Sequence, residues 1–298
     1  MSHQGVPDAM EIDCNEKVWL QEVGPRDGLQ NEPIALNVDV RAGLIESLVE
    51  TGLSRIQIGS FVNPRLVPQM AGTHEVWRRL KKRENVRYSA LVLNDKGLET
   101  ALAEGIPHVE IYVSASETHS LRNSGVSTSE GLKIASSLIN KALQNNRTVT
   151  AGVMCAFGCF YEGPVEIKKI LDIVHEFGSQ GPLEIGLADT AGVGEPAGIN
   201  SVLQSVLEIV SVDRLILHLH DTRGNGIANL KAALDQGVRR FDTAVGGLGG
   251  CPFIPGAKGN ISTEQTVDIL ESLGYGTGVD RRRLGNIWAD LSRLLGRG

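Results

Sequence analysis

The amino-acid sequence predicts an α/β protein, a (β/α)8 or TIM barrel with a C-terminal helical extension. From residue 17 onward, short apolar runs rich in β-branched residues alternate with longer runs of helical period, which is typical of parallel βαβ units. Eight such units follow one another at intervals of about 25 to 40 residues, and this number suits a closed barrel better than an open doubly wound sheet.

The predicted elements alternate along the chain. The predicted strands are 18–23, 55–58, 88–93, 109–113, 149–155, 183–187, 215–220 and 241–245. The predicted helices are 38–51, 74–83, 96–104, 129–145, 165–177, 196–211, 227–236 and 263–273. Residues whose side chains can accept a hydrogen bond from a first helical turn are candidate N-caps, namely Asn37, Ser129 and Thr263. Glycines that follow predicted helices, where a left-handed residue ends the helix, are Gly105, Gly178 and Gly237.

Composition and charge narrow the class of protein. The chain is 41% hydrophobic and has a formal net charge of −6. Its basic residues are scattered apart from short runs at 81–83 and 281–283, so no basic stripe suits nucleic acid. Four cysteines without Cys-x-x-Cys spacing favour a reducing compartment. No apolar run approaches membrane-spanning length, so no membrane partner is expected.

We expect three segments. Residues 1–16 form a polar, flexible leader, residues 17–280 form the catalytic barrel, and residues 281–298 form a helix that packs on the barrel through the amphipathic run 284–295. The leader has neither the apolar stretch of a secretory signal nor the Arg-rich, acid-poor character of a transit peptide. The expected location is therefore the cytoplasm.

Active sites of this fold lie on loops that follow the carboxyl ends of the strands, and the polar residues of this chain collect there. Such residues follow the first, sixth, seventh and eighth predicted strands, and they are Arg26, Asp27, Asp189, His218, His220, Cys251 and Asn260. The i, i+2 spacing of the two histidines puts them on one face of a strand. One rim of the barrel is therefore the expected site.

A divalent-metal site is the first hypothesis for this rim. Asp27, His218, His220 and Asn260 together offer the oxygen and imidazole ligands of an Mg²⁺ or Mn²⁺ site. The set has no thiolate if Cys251 stays free for chemistry, which favours these ions over zinc. The alternatives are structural: histidines that end a strand, a turn aspartate beside glycine, and a loop asparagine.

Two further residues on this rim suit acyl chemistry. Arg26 beside a metal presents a fixed cation where negative charge develops on a carbonyl oxygen; the alternative is an arginine that only pairs with an aspartate. Cys251 follows a glycine-rich run and can serve as an acid or base on a loop that closes over a ligand; the alternative is a small buried hydrophobe. The glycine runs match no nucleotide fingerprint, although Lys258 can attract a nucleotide-bearing thiol carrier.

Over about residues 17 to 280 the chain resembles the 3-hydroxy-3-methylglutaryl-CoA lyases, part of a superfamily of metal-dependent TIM-barrel lyases and acyl-CoA-condensing synthases. The motifs are VGPRDGLQNE at 23–32, SFVNP at 60–64, VPQM at 67–70, LADT at 187–190, HLHDT at 218–222 and GGLGGCP at 246–252. The last of these is specific to the lyases within the superfamily.

The resemblance implies a role for each residue. The residues that match the metal ligands are Asp27, His218, His220 and Asn260, and His218 also belongs to the catalytic set. Arg26 matches the arginine that stabilises the enolate, and Asp189 matches an active-site acid. Cys251 matches the catalytic cysteine of a mobile loop. The implied reaction is a retro-Claisen cleavage of 3-hydroxy-3-methylglutaryl-CoA to acetyl-CoA and acetoacetate. The implied partners are a divalent metal, Mg²⁺ or Mn²⁺, an acyl-CoA substrate and a second copy of the chain in a homodimer.

Two positions depart from the family pattern. Gln57 stands where the family has a glutamate, so a neutral amide that cannot accept a proton replaces an acid near the metal. Arg223 stands where the family has an aromatic residue and adds a cation at the rim. Together with Arg26 and Lys258, these two residues are the predicted substrate-binding residues.

Three alternatives remain at the level of sequence. The same chemistry on a different tertiary 3-hydroxyacyl-CoA fits the two departures. A Claisen-condensing acyl-CoA synthase fits the same metal barrel, with Cys251 against it. A non-catalytic scaffold is the third, and it conflicts with the retention of Arg26, Cys251 and all four candidate ligands.

Overall fold

The computed structural model describes residues 16–181, 184–250 and 259–297. Within these ranges, eight parallel strands form a closed barrel in chain order. They are β1 (Trp19–Glu22), β2 (Arg55–Phe61), β3 (Arg87–Val92), β4 (His108–Ser114), β5 (Thr148–Met154), β6 (Glu184–Asp189), β7 (Leu215–Leu219) and β8 (Arg240–Thr243). β1 pairs with both β2 and β8, which closes the barrel and confirms the predicted fold class.

Helices cover the outside of the barrel in the described ranges. They are α1 (Val38–Val49), α2 (Thr73–Arg79), α3 (Asp95–Ala103), α4 (Glu117–Ser124), α5 (Thr128–Gln144), α6 (Ile167–Ser179), α7 (Pro196–Leu207), α8 (Gly226–Asp235), α9 (Thr263–Ser272) and α10 (Arg281–Leu294). None of them is both long and apolar enough to cross a membrane. The sequence did not predict α4, because its segment is polar and lacks an apolar period; Ser116 caps its start.

The predicted helix ends are partly correct. Asn37 accepts a hydrogen bond from Val40 N at 2.9 Å, as an N-cap does. Two other N-caps lie slightly earlier in the chain than predicted. The N-cap of α5 is Ser127, not Ser129, and the N-cap of α9 is Ser262, not Thr263. Gly105 and Gly237 have positive φ after their helices, whereas Gly178 lies inside α6, which ends two residues later than predicted.

The C-terminal helix α10 packs against the rest of the chain. Leu284 and Leu291 are buried in the common apolar core, and Trp288 packs against it. A Cβ on Gly246 would lie 2.1 Å from the Trp288 ring, so the helix lies directly on the backbone that follows β8. The boundaries of leader, barrel and extension remain a prediction.

The amino-terminal end of the barrel is closed by a buried ion cluster around Glu184 of β6. Its carboxylate lies 2.5 Å from Arg55 Nη2 and 3.0 Å from Arg87 Nη1, and Arg240 Nε is 3.6 Å away. Burial alone would raise the pKa of Glu184, but the Arg55 hydrogen bond and the neighbouring guanidinium charges lower it to about 2. The charge of Glu184 is thus part of the folded state at neutral pH.

We predict that Glu184→Gln lowers the free energy of unfolding by about 3 to 5 kcal/mol at pH 7, because it leaves buried guanidinium groups without a counter-charge. Because the folded-state pKa lies below the ordinary value of 4.5, this contribution is complete above pH 4.5 and is lost as pH falls towards 2. Urea unfolding from pH 7 to pH 3 measures it.

The control is Asp172→Asn, which removes an exposed ion pair with Lys168 on α6. It should cost less than about 1 kcal/mol at any pH. Equal costs for the two variants, or a cost for Glu184→Gln that grows in acid, would contradict the prediction.

Candidate metal centre and active-site cavity

The two predicted histidines lie together at the carboxyl end of β7. His218 is the fourth residue of the strand, and His220 follows its last residue, Leu219. Leu217 and Leu219, which alternate with them, are buried in the apolar core. The histidine Nε2 atoms are 3.0 Å apart, as the two-residue period of a strand allows for side chains on one face.

Asp27 approaches the histidines from a single π-helical turn, Gly24–Gly28, that directly follows β1. Its Oδ2 lies 3.9 Å from His218 Nε2 and 3.7 Å from His220 Nε2. One ligand atom from each of the three residues lies within 4.8 Å of the other two. Two chain segments about 190 residues apart in sequence thus form one candidate metal centre.

The buried carboxylate of Glu22, the last residue of β1, fixes this turn in place. Its Oε1 accepts hydrogen bonds from Gly24 N at 2.8 Å and Val245 N at 2.9 Å. Its Oε2 accepts one from Thr263 Oγ1 at 2.6 Å. Burial raises the pKa of Glu22 to about 8, against the effect of these hydrogen bonds. One side chain therefore joins the turn after β1 to the end of β8 and to the start of α9.

Asn260 lies beside the three-residue cluster. Its Nδ2 donates to Asp27 Oδ2 at 2.9 Å and to the carbonyl oxygen of Leu248 at 2.9 Å. Because both of these contacts are acceptors, the amide nitrogen is correctly placed and Oδ1 is the other atom. Oδ1 is buried and has no hydrogen-bond partner among the described residues, so it is available as a fourth ligand.

Asp242 of β8 orients His218 from behind. His218 Nδ1 lies 3.1 Å from Asp242 Oδ2, and Gln21 Nε2 donates to Asp242 Oδ1 at 3.0 Å. Burial alone would lower the pKa of His218, but the hydrogen bond to Asp242 and the charge of Asp27 raise it. An aspartate on Nδ1 leaves the Nε2 lone pair of the neutral imidazole towards Asp27 and His220, as in metal-ligating histidines generally.

These residues fit a divalent cation. The donor set is one carboxylate, two imidazole nitrogens and an amide oxygen, with no thiolate among the described residues. His220 Nδ1 is also buried without a partner among the described residues. A carboxylate oxygen and two imidazole nitrogens that face one another are suitable ligands for a hard or borderline divalent metal.

Arg26 lies next to the cluster and lines the same cavity. Its Nη1 donates to Asp27 Oδ1, and its Nε is buried without a partner among the described residues. Burial alone would raise the pKa of Asp27, but the charge of Arg26 and the two histidines hold it well below its usual range. Arg26 therefore pairs with an aspartate, as the structural alternative requires, and still keeps a donor free.

A cavity of about 630 Å³ opens at this end of the barrel. Its polar wall includes Arg26, Asp27, Gln57, His218 and His220. Apolar side chains from the loop after β2 and from β3, β4 and α5 line much of the rest, among them Val62, Leu66, Leu91, Val113, Ile134 and Leu138. The candidate metal centre thus faces a space with both charged and apolar walls, which suits a small-molecule ligand.

Asp189 and Arg223, two of the predicted residues in the described ranges, do not line the cavity. Asp189 is buried, and its carboxylate accepts hydrogen bonds from Val193 N at 3.1 Å and Gly194 N at 3.1 Å. Burial raises its pKa. Arg223 is exposed and is not among the residues that line the cavity. Cys251 and Lys258 lie outside the described residues, so their roles remain predictions.

Sequence reasoning missed a buried polar cluster inside the barrel, beneath Gln57. Glu110 of β4 is fully buried. Burial, together with the charge of Asp242, raises the pKa of Glu110 to about 7. Gln21 and Ser89 both donate to its Oε1. The available signal was a glutamate in an otherwise apolar predicted strand, 109–113, whose inward or outward direction a strand pattern alone does not decide.

Comparisons with known proteins agree with the resemblance noted from the motifs. A sequence model of the HMGL-like family matches residues 17–290. A hydroxymethylglutaryl-CoA lyase from Pseudomonas mevalonii is 42% identical over 94% of this chain and 93% of its own length. A 3-hydroxy-3-isohexenylglutaryl-CoA/hydroxymethylglutaryl-CoA lyase from Pseudomonas aeruginosa is 39% identical over 95% of this chain and 94% of its own.

Solved structures give the same result for the fold. An HMG-CoA lyase from Bacillus subtilis superposes with a TM-score of 0.92 at 39% identity, over 95% of each chain. An HMG-CoA lyase from Acinetobacter baumannii, in complex with coenzyme A and 3-methylmalate, superposes with a TM-score of 0.91 at 36% identity, over 96% of this chain and 93% of its own.

We predict that His220→Ala weakens Mn²⁺ binding by more than about 10-fold. Loss of a residue that only hydrogen-bonds to a metal ligand already costs about 10-fold or more, and loss of a ligand should cost at least as much. The variant removes one of the three clustered ligand atoms. Electron paramagnetic resonance of free Mn²⁺ during titration measures the affinity. His74→Ala on α2, outside the cavity, is the matched control and should bind as the natural protein does. Unchanged affinity in His220→Ala would remove this histidine from the ligand set.

Proposed function

The chain belongs to the HMGL-like family of carbon–carbon lyases, and we propose that it cleaves 3-hydroxy-3-methylglutaryl-CoA to acetyl-CoA and acetoacetate in a metal-dependent retro-Claisen reaction. The observation that carries the proposal is the cluster of Asp27, His218 and His220 on the wall of a cavity that also contains Arg26. A ligand set of this kind beside a free guanidinium donor suits a substrate that forms an enolate.

The proposed metal is Mg²⁺ or Mn²⁺, held by Asp27, His218, His220 and Asn260. The oxygen and nitrogen donors of these side chains suit such an ion. When bound, a divalent cation lowers the pKa of an alcohol that it contacts and holds a chelating substrate in place. Asp242 keeps the His218 ring in the orientation that this site needs.

The reaction requires a defined set of proton and electron movements. The tertiary hydroxyl at C3 loses its proton, the C2–C3 bond breaks, and C3 becomes the ketone of acetoacetate. The electron pair of that bond stays with C2 and spreads onto the thioester oxygen as an enolate. A proton delivered to C2 then gives acetyl-CoA. The protein must therefore accept the proton that leaves the hydroxyl, stabilise negative charge on the thioester oxygen, and supply one proton to C2, so that no net proton is gained or lost.

Arg26 is the residue proposed for the enolate oxygen. Its bond to Asp27 holds the guanidinium at the cavity wall, while its Nε has no partner among the described residues. A fixed cationic donor stabilises the charge that develops on oxygen without needing to reorganise. In this proposal Cys251 takes part in proton transfer to C2, and Lys258 attracts the anionic end of the CoA thioester.

The remaining proposed properties rest on the sequence and the family. We propose a homodimer, with the surface helix α10 as the candidate contact. We also propose a cytoplasmic location; among the relatives, rat and mouse lyases are named cytoplasmic and chicken and human lyases mitochondrial. Asp189 as an active-site acid and Arg223 as a substrate-binding residue remain proposals as well.

A longer apolar branch at C3 is the second candidate substrate feature. The observation in its favour is the apolar part of the cavity wall, which includes Leu91, Val113, Ile134 and Leu138. The Pseudomonas aeruginosa relative is named for activity on both an isohexenyl-branched and a methyl-branched glutaryl-CoA. Burial of each additional methylene in such a wall would contribute about 0.8 kcal/mol.

The first test is release of acetyl-CoA from 3-hydroxy-3-methylglutaryl-CoA. We expect release in the presence of Mg²⁺ or Mn²⁺, and none after chelation. Arg26→Gln should lower kcat about 100- to 1000-fold, as loss of a donor to a developing oxyanion does. Cys251→Ala should abolish most of the turnover, with Mn²⁺ affinity unchanged.

Three outcomes would contradict this proposal. Release that persists in chelator would rule out metal dependence. Unchanged acyl-CoA cleavage in Cys251→Ala would remove this cysteine from proton transfer. Consumption of acetyl-CoA with a 2-oxo acid, in place of release, would indicate a Claisen-condensing synthase.

We predict that Ile134→Trp, which narrows the cavity from α5, lowers kcat/KM for an isohexenyl-branched substrate about 10-fold or more and changes the methyl-branched substrate less than about 2-fold. Ile134 lines the cavity and is 37% exposed, so the surface tolerates the larger ring. Ile209→Trp, which is 47% exposed and outside the cavity, is the control. Competition between the two substrates measures the ratio; equal losses on both would contradict an apolar branch subsite.

A further inference from the structure

The buried carboxylate of Glu110 has no role in the reaction as described above, yet it lies directly behind the cavity. Its Oε2 accepts a hydrogen bond from Gln57 Nε2 at 2.6 Å. Its Oε1 accepts hydrogen bonds from Ser89 Oγ at 2.6 Å and Gln21 Nε2 at 3.1 Å. Three polar side chains, one each from β1, β2 and β3, therefore donate to the carboxylate of Glu110 on β4 inside the barrel.

The contact with Glu110 fixes which end of the Gln57 amide faces away from it. Because Gln57 Nε2 donates to Glu110 Oε2, the amide nitrogen faces Glu110 and Oε1 lies on the other side of the amide. Gln57 is 2% exposed and lines the cavity, and its Oε1 has no hydrogen-bond partner among the described residues. A buried acceptor without a partner is a place for a donor from a ligand.

The acyl group of the proposed substrate has one such donor. Of the polar groups near its reacting carbons, the two carbonyl-containing groups only accept hydrogen bonds, and the tertiary hydroxyl at C3 is the donor. Gln57 shares the cavity wall with Arg26, Asp27 and the two histidines. Gln57 Oε1 is therefore an acceptor on the wall that, in the proposed function, receives that hydroxyl.

The same network reaches the candidate metal centre by a second route. Gln21 Nε2 donates both to Glu110 Oε1 and to Asp242 Oδ1, at 3.1 and 3.0 Å. Asp242 in turn orients His218. The carboxylate of Glu110 thus supports two neighbours of the site at once, the amide of Gln57 directly and Asp242 through Gln21.

We propose that Glu110 is a positioning residue that holds the Gln57 amide so that its Oε1 accepts a hydrogen bond from the tertiary hydroxyl of the substrate. The inference rests on the proposed function. In the family pattern a single glutamate stands at position 57. In this chain Gln57 on β2 supplies the neutral group proposed to contact the substrate, and Glu110 on β4 supplies the acid that hydrogen-bonds to that group.

This arrangement changes what the single variant Gln57→Glu should do. The variant would place a second carboxyl group about as close to Glu110 as the Gln57 amide nitrogen, which lies 2.6 Å from Glu110 Oε2. Two buried carboxyl groups at this distance cannot both be ionised. We therefore expect Gln57→Glu to lower kcat at least about 10-fold, which is less than the roughly 100-fold or more that loss of a general acid or base costs. The exchanged pair, Gln57→Glu with Glu110→Gln, should recover to within about 3-fold of the natural protein, because the hydrogen bond between the two strands is restored with its ends exchanged.

A double-mutant cycle separates orientation of the amide from general support of the barrel. Glu110→Gln alone is isosteric and should lower kcat about 10-fold with KM changed less than about 2-fold, because the Gln57 amide is then free to turn. In a Gln57→Met background the same change should cost at least about 3-fold less, since no amide remains to be oriented and only the route through Gln21 and Asp242 is left. Ser89→Ala is the matched control, because it removes another hydrogen bond of Glu110 and leaves its contact with Gln57.

The cycle is read in two ways, by steady-state kinetics and by calorimetric binding of 3-hydroxy-3-methylglutarate in the presence of Mn²⁺, which needs no turnover. Circular dichroism and the thermal midpoint confirm that each variant folds. Coupling between positions 57 and 110 in either reading supports the inference. Additive effects in both readings, or a Ser89→Ala loss equal to that of Glu110→Gln, would overturn it.

Turnover by the natural protein decides the proposed function separately. If it does not cleave 3-hydroxy-3-methylglutaryl-CoA, that function fails, while coupling in the binding cycle still shows whether Glu110 acts through Gln57. If it does cleave the substrate and the cycle is additive in both readings, the function stands and the inference fails.

Discussion

The pairing of β1 with β8 is the constraint on which the site depends. It brings the turn that carries Asp27 next to the histidines of β7 and to Asn260, although these residues lie far apart in sequence. The Glu22 carboxylate secures this closure, because it bonds to backbone on both sides of the seam and to the start of α9. Loss of that seam would separate the candidate ligands even if every strand still formed.

The two ends of the barrel use buried charge in different ways. At the amino-terminal end, Glu184 is surrounded by guanidinium groups, so its charge is compensated and contributes to stability. At the carboxyl end, Asp27 is compensated by Arg26 and two histidines, yet donors and lone pairs there remain without partners among the described residues. Incomplete compensation of this kind is typical of a site that a cation and an anionic substrate complete.

The polar cluster inside the barrel links these chemical features to the fold. Glu110 is held by side chains from three neighbouring strands, and through Gln21 it is connected to Asp242 behind His218. A carboxylate in this position is tolerated because each oxygen accepts at least one hydrogen bond. Gln57, one of the two residues that depart from the family pattern, thus belongs to a network and is not an isolated loss of an acid.

The sequence by itself determined the barrel and the positions of its strands. It also placed four residues at one rim, namely Asp27, His218, His220 and Asn260. It could do so because hydrophobic period and strand order fix which ends of parallel strands meet. Only the tertiary structure decided that α4 forms from a polar segment, that Arg223 lies outside the cavity, and that Glu110 faces Gln57. The physical reason is that strand period shows which residues share a face but not which face is inside, and that contacts between strands depend on barrel register.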